Sequence, residues 1–186
     1  MRRSACRDRL PALAIAMWAA TFPSVSHALL QSCTVSATSL PFGVYNPANA
    51  SALNATGTVT VTCQVLLVGL FASWTLTMSP GGSASYNPRR LSTGAATLDY
   101  NIYTSAAYTT IWGDGSGGTG TVSDAMTLVV GSNSSNYTMY GRIPALQDAR
   151  AGAYSDSIVV TVNYRQRRGG GRRPHICTNA PDMRCL

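Results

Sequence analysis

The chain has 186 residues and a formal charge of +7, unevenly placed: residues 1–28 carry +3, residues 29–164 carry −1 and residues 165–186 carry +5. A nucleic-acid-binding domain needs a basic face, so the near-neutral middle of the chain excludes nucleic acid as its expected partner. Between Leu29 and Tyr164 there is no His, Lys or Glu, which removes the usual general acids and bases, the Ser-His-Asp constellation and a zinc site.

The first 28 residues follow the order of a secretory signal peptide. Arg2, Arg3, Arg7 and Arg9 form a basic start, Leu10 to Phe22 an apolar stretch, and Ser26-His27-Ala28 the small residues before a cleavage point. The apolar stretch has 13 residues and contains Pro11, short of the ~20 that span a bilayer. Cleavage is expected after Ala28, with no membrane span afterwards.

The next signal is a pair of cysteines in matching phase. Cys33, Val35 and Ala37 fall on one side of an alternating stretch, as do Val59, Val61 and Cys63 on another. Side chains alternate across a strand, so both thiols belong to the apolar face and read as a buried disulfide formed in an oxidising compartment. Closing that loop is worth roughly 3–4 kcal/mol by chain entropy.

Alternating strand signals then recur at short intervals: Cys33–Thr38, Thr56–Cys63, Ala72–Met78, Thr97–Thr104, Thr121–Val130, Asn136–Ile143 and Tyr154–Tyr164. Trp74, Leu76 and Met78 share one phase; Ile158, Val160, Val162 and Tyr164 share another. The connectors carry turn residues at Asn46-Pro47, Pro80-Gly81-Gly82, Asn87-Pro88, Asp114-Gly115 and Ala151-Gly152. Residues 29–164 thus predict one all-β domain, an immunoglobulin-like sandwich. Gly113–Gly120 lacks the Lys-Ser/Thr ending of a phosphate loop and reads as a hairpin or flexible loop.

Asp99, Asp114, Asp124, Asp148 and Asp156 are the carboxylates left for chemistry in this stretch. A catalytic Asp pair stays formally open, but surface and turn positions account for all five. Asp114 and Asp124 lack the closely spaced oxygen ligands of a calcium loop. No catalytic, cofactor-binding or metal-binding residue is expected, and the protein is read as a non-enzyme. The tyrosines are scattered over the strands, with core packing the default and an adhesive or carbohydrate-binding patch the alternative.

Several of these segments also carry a resemblance. Cys33-Thr-Val-Ser-Ala-Thr-Ser-Leu-Pro-Phe42-Gly43-Val-Tyr45-Asn-Pro47 resembles the opening of the spore coat protein U domain, and Ala55 to Cys63 resembles its second strand. Leu98-Asp-Tyr100-Asn101-Ile-Tyr103, Trp112-Gly-Asp-Gly115, Tyr140-Gly-Arg-Ile-Pro144 and Gly152-Ala-Tyr154-Ser-Asp156 follow in the family's order, so the resemblance covers residues 33–164.

What the resemblance implies is a subunit of a chaperone–usher fimbria of the archaic Csu type: an incomplete, pilin-type immunoglobulin-like sandwich lacking its last strand. A periplasmic chaperone, an outer-membrane usher and other fimbrial subunits are the implied partners, by strand addition at an open edge. Ile158, Val160, Val162 and Tyr164 would border the acceptor groove. The implied route runs through the periplasm to the cell surface or beyond, and no cofactor is implied. The runner-up is the adhesive tip domain of such a fibre, binding a surface or glycan.

Both ends depart from that pattern. After the expected cleavage only Leu29 to Ser32 precede Cys33, fewer than the roughly ten residues a donor strand uses, so the domain is expected to accept a strand rather than give one. Residues 165–186 abandon the strand alphabet for an Arg- and Gly-rich run. That tail is expected to be disordered and is read as out-of-frame or otherwise non-native sequence, with Cys177 and Cys185 as incidental thiols or a small local disulfide.

Overall fold

Runs of β-branched and aromatic residues with period two build a molecule made of strands and turns. The computed structural model describes residues 32–66, 70–167, 174–179 and 182–184. The strands are β1 (Ser32–Ala37), β2 (Leu53–Val65), β3 (Leu70–Met78), β4 (Arg89–Ser92), β5 (Thr97–Tyr103) and β6 (Val122–Leu128). They continue with β7 (Gly131–Ile143), β8 (Ser155–Ser157), β9 (Val160–Arg167), β10 (Pro174–Asn179) and β11 (Asp182–Arg184). Among the described residues no helix is long and apolar enough to cross a membrane. The expected leader, residues 1–28, lies outside the described residues.

The strands form two antiparallel sheets ordered β1-β2-β7-β5-β4-β8-β11 and β10-β9-β3-β6. β2 and β7 are the backbone of the larger sheet, paired without interruption from Leu53↔Ile143 to Val65↔Gly131. The β1-β2-β7-β5 run and the β10-β9-β3 run correspond to the two facing halves of an immunoglobulin-like sandwich. β10 stands where the last strand of such a sandwich belongs.

The core fills the space between the sheets, and the alternation in sequence places it. Val59, Val61, Cys63, Val65, Ile102, Met139 and Ile143 face it from the larger sheet, and Ala72, Trp74, Leu76, Met78, Val160 and Val162 from the smaller one. Trp112, in the loop after β5, is fully buried and donates its indole N–H to the Leu76 carbonyl at 3.1 Å. Gly141 is required by close approach: a β-carbon there would lie 2.5 Å from Leu40 Cδ2 and 2.7 Å from Phe42 Cζ.

The structure differs from the sequence reading in three places. Arg89–Ser92 is a strand that the reading passed over. The single stretch expected at Tyr154–Tyr164 is two strands in different sheets, since β8 pairs with β4 and β9 with β3. Ile158 and Val159 make the crossing, held by the Ser79 N–H on the Val159 carbonyl and the Val159 N–H on Ser79 Oγ, both 2.9 Å. Third, part of the tail expected to be disordered forms β10 and β11, while residues 168–173 and Cys185 lie outside the described residues. Strand pairing runs through backbone groups, so an edge can take up sequence with little strand propensity of its own.

Candidate functional site

β9 carries three of the four residues expected to border an acceptor groove. Its alternation is complete: Val160, Val162 and Tyr164 are buried, Asn163 and Arg165 exposed, and Ile158 is buried at the crossing just before it. The four residues expected to border a groove therefore contribute to the core, and the strand carrying three of them has an edge on each side. One edge pairs with β3 from Met78↔Val160 to Phe71↔Arg167. The other pairs with β10 over six positions, from Pro174↔Arg165 to Asn179↔Val160.

In an antiparallel ladder the N–H groups of successive residues point to opposite neighbours. The Ser79 N–H to Val159 carbonyl bond fixes the phase. Thr161, Asn163 and Arg165 therefore direct their N–H groups to β3, and Val160, Val162 and Tyr164 direct theirs to the β10 side. The residues that bury their side chains are the same ones that present backbone donors at this edge.

β1 closes the same end of the sandwich from the other sheet, lying against β9 and β10. It pairs only with β2 among the described strands, with Cys33 directly opposite Cys63. The two cysteines are bonded and buried, as the shared phase predicts. The disulfide joins neighbouring strands of one sheet and holds β1 in register beside the β9 edge.

The family-like motifs prove to be internal supports. Arg89 is fully buried, and its guanidinium donates from Nε and Nη2 to the Ser79 carbonyl at 3.2 and 2.9 Å. It also donates from Nη2 to the Trp112 carbonyl at 2.7 Å and from Nη1 to Asn101 Oδ1 at 3.2 Å, and lies over the Tyr86 ring. Burial lowers its pKa, with Tyr100, Tyr86 and Asp156 acting against that shift. A guanidinium stays charged in proteins, so this is a buried cation held by oxygen dipoles. The sequence reading gave Arg89 no role; its signal was the alternation Arg89-Arg90-Leu91-Ser92, which puts Arg89 in phase with an apolar residue.

Asp156 corrects the expectation that all five aspartates sit on surfaces and turns, because it is only 8% exposed. Its Oδ1 accepts the Gly82 and Ser157 N–H groups at 2.9 and 2.8 Å, and its Oδ2 accepts the Tyr100 hydroxyl at 2.7 Å. A β-carbon at Gly81, where φ is +76°, would collide with this carboxylate. The motif residues Tyr100 and Asp156 thus tie Gly82 to the larger sheet, while Asn101 reaches Ser79 through Arg89. Asp114 accepts the Ser116 N–H and Oγ–H, which holds its carboxyl below the usual range. Among the described residues no cluster of His, Cys, Asp and Glu could hold a metal ion.

The tyrosines are less scattered than the sequence suggested. Tyr103, Tyr108 and Tyr140 meet edge to face at 5.5 and 6.4 Å between ring centres, and the Arg142 guanidinium lies 3.8 Å over the Tyr108 ring. Tyr108 takes a left-handed φ of 54°, uncommon for a residue with a β-carbon. A separate, mostly apolar cavity of about 400 Å³ lies between Val44, Tyr45, Leu98, Ala149 and Tyr154.

The fold is an antiparallel β-sandwich in which β10 pairs along the outer edge of β9. The spore coat protein U domain family matches residues 19–161, and the chain belongs to that family. Among curated proteins none matches. Of solved structures, the CupB6 tip adhesin from Pseudomonas aeruginosa is similar at 12% identity and a TM-score of 0.44, over 80% of this chain. The present chain spans 50% of that adhesin's length. AggA, the major subunit of aggregative adherence fimbriae type I from Escherichia coli, is similar at 10% identity and a TM-score of 0.39, covering 84% of this chain and 95% of its own.

Proposed function

We propose that the protein is an exported structural subunit of a surface fimbria or coat, assembled by strand addition at the β9 edge. The observation that carries this reading is the place of β10. It occupies the last-strand position of the sandwich from a segment beyond residue 161, where the family match ends. The family match ends within β9 itself, so the strand beside β9 comes from chain beyond the matched part, and it pairs antiparallel and in register. An apolar core that ends at a strand edge favours a partner that supplies a strand.

The partners that fit are a periplasmic chaperone in transit, then an outer-membrane usher and neighbouring subunits. The basic-apolar-small leader pattern and the Cys33–Cys63 bond support a route through an oxidising periplasm to the cell surface. Co-expressing the full chain with a candidate periplasmic chaperone tests the reading. A one-to-one complex that cross-links through Asn163 or Arg165 replaced by cysteine is the expected result. A chain that folds, is exported and never associates with a chaperone or with another subunit would end it.

A second reading, an adhesive tip domain, rests on the Tyr103, Tyr108, Tyr140 and Arg142 group, since aromatic faces beside a cation suit sugar rings and polar surfaces. Tyr108→Ala with Tyr140→Ala would then abolish attachment while fibre assembly continues. Loss of assembly together with attachment would return these residues to a structural role.

A further inference from the structure

We infer that Pro174–Asn179 is a placeholder strand: the chain closes its own β9 edge from within, and an incoming strand must displace this segment to join the sheet. The inference rests on the strand-acceptor reading and adds to it what occupies the edge before a partner arrives.

The ladder geometry carries the argument. Val160, Val162 and Tyr164 point their N–H groups away from β3, and their partners in β10 are Asn179, Cys177 and His175. Those are the hydrogen-bonding positions of the β9–β10 ladder, so Asn179, Cys177 and His175 present their N–H groups to β9. Ile176 and Thr178 present theirs to the opposite side. Pro174 has no N–H to give, and it stands opposite Arg165, a position whose N–H faces β3. The one residue of the segment that lacks a donor thus falls where the ladder requires none. It is also the first residue of the strand, where proline is tolerated.

Sequence supports displacement rather than permanent closure. The segment is joined to β9 through residues 168–173, Arg-Gly-Gly-Gly-Arg-Arg, which hold three consecutive glycines and three arginines. A segment joined within the same chain by six residues has an effective local concentration in the millimolar range. A strand supplied in trans competes against that concentration, and its apparent affinity falls by the fraction of molecules whose edge is open. The tail therefore protects the monomer from indiscriminate edge pairing and sets a threshold that a well-matched partner strand exceeds.

Backbone hydrogen exchange on the full-length protein tests this, with variants that alter single N–H groups. In the unaltered chain the amides of Val160 and Val162 should exchange slowly, as slowly as those of Thr161 and Asn163 bonded to β3. Cys177→Pro removes a donor aimed at β9 and should speed exchange at Val160 and Val162 by roughly tenfold or more, equivalent to about 1.4 kcal/mol. Ile176→Pro removes a donor aimed away and should leave them at least several-fold slower than in Cys177→Pro. Cys177→Ser keeps the N–H and should match the unaltered chain; an effect as large as that of Cys177→Pro would assign the change to the thiol and overturn the inference. Fast exchange at Val160 and Val162 in the unaltered chain, with Thr161 and Asn163 slow, would overturn it too while leaving an open acceptor edge. Slow exchange throughout in Cys177→Pro would show an edge closed without the tail, and the acceptor reading would fail with it.

Discussion

Trp74 donates its indole N–H to the hydroxyl of Tyr137 at 2.7 Å, and the two side chains come from facing sheets. Tyr137 passes its own proton donation on to Asp124 Oδ2 at 2.8 Å, so β3, β7 and β6 are tied by one short chain of hydrogen bonds. Burial, and then the neighbouring Asp124 carboxylate, push the Tyr137 pKa up to about 12.

That shift has a signed consequence. Below pH ~10 the phenol is protonated in both folded and unfolded chains. Above that the unfolded phenol ionises while the folded one resists, so stability falls as the pH rises from 10 to about 12. Tyr137→Phe should remove this part of the alkaline loss. At neutral pH it should cost roughly 1–3 kcal/mol by leaving the Trp74 N–H unmatched. Urea unfolding of both proteins across that pH range checks both, and parallel curves would refute the assignment.

Arg89 and Arg90 are adjacent in sequence and opposite in fate. Arg89→Met strips donors from the Ser79 and Trp112 carbonyls and from Asn101, each left buried at about 1–3 kcal/mol, so a loss of at least ~3 kcal/mol is expected. Arg90 meets Asp99 at 3.0 Å with both side chains largely exposed, and Arg90→Met should change stability by less than ~1 kcal/mol. Equal effects in denaturant titrations would contradict the burial assigned to Arg89.

Replacing Cys33 and Cys63 together by Ala should cost roughly 3–4 kcal/mol, the chain-entropy value of a bond between residues 30 apart. The check is the unfolding midpoint of the double variant against the parent. A change under ~1 kcal/mol would mean that the unfolded chain gains little freedom when the bond is absent.

Gly141→Ala places a methyl group against Leu40 and Phe42 and should destabilise by about 1–3 kcal/mol through overpacking. Gly43→Ala meets no atom within 4 Å, but its φ of +75° is left-handed, so a cost of ~1–2 kcal/mol is expected from backbone strain alone. Thermal unfolding measures both. The pair separates crowding from conformation: in a Leu40→Ala background, which removes one of the two contacts, Gly141→Ala should cost less than in the parent while Gly43→Ala costs the same.

The alternation of side chains made the two-sheet core, the disulfide and the buried face of β9 legible in the sequence. Period two is a local signal, and Cys33, Val35, Val59, Val61 and Cys63 obey it without exception. Polar residues serving the interior were hidden. Arg89 and Asp156 are buried because distant groups satisfy them, Ser79, Trp112 and Asn101 in one case and Tyr100 and Gly82 in the other, and no local pattern encodes such partners. The crossing at Ile158 was hidden for a related reason. Both strands bury the same alternating face, so a change of sheet leaves the pattern unbroken. The Tyr103–Tyr108–Tyr140 group joins three segments that meet only after folding.

The in-register bond between Cys33 and Cys63 has a mechanical consequence. A pull on the chain from before Ser32 loads the β1–β2 ladder in shear, and the covalent link lies at the second of its six rungs. Tension entering there passes at once into β2 and on to β7 along their thirteen-residue seam, so β1 cannot slide or peel from its neighbour. Traction at the N-terminal end of β1 is thereby carried covalently into β2, whereas β9 and β10 are described as joined through their backbone ladder.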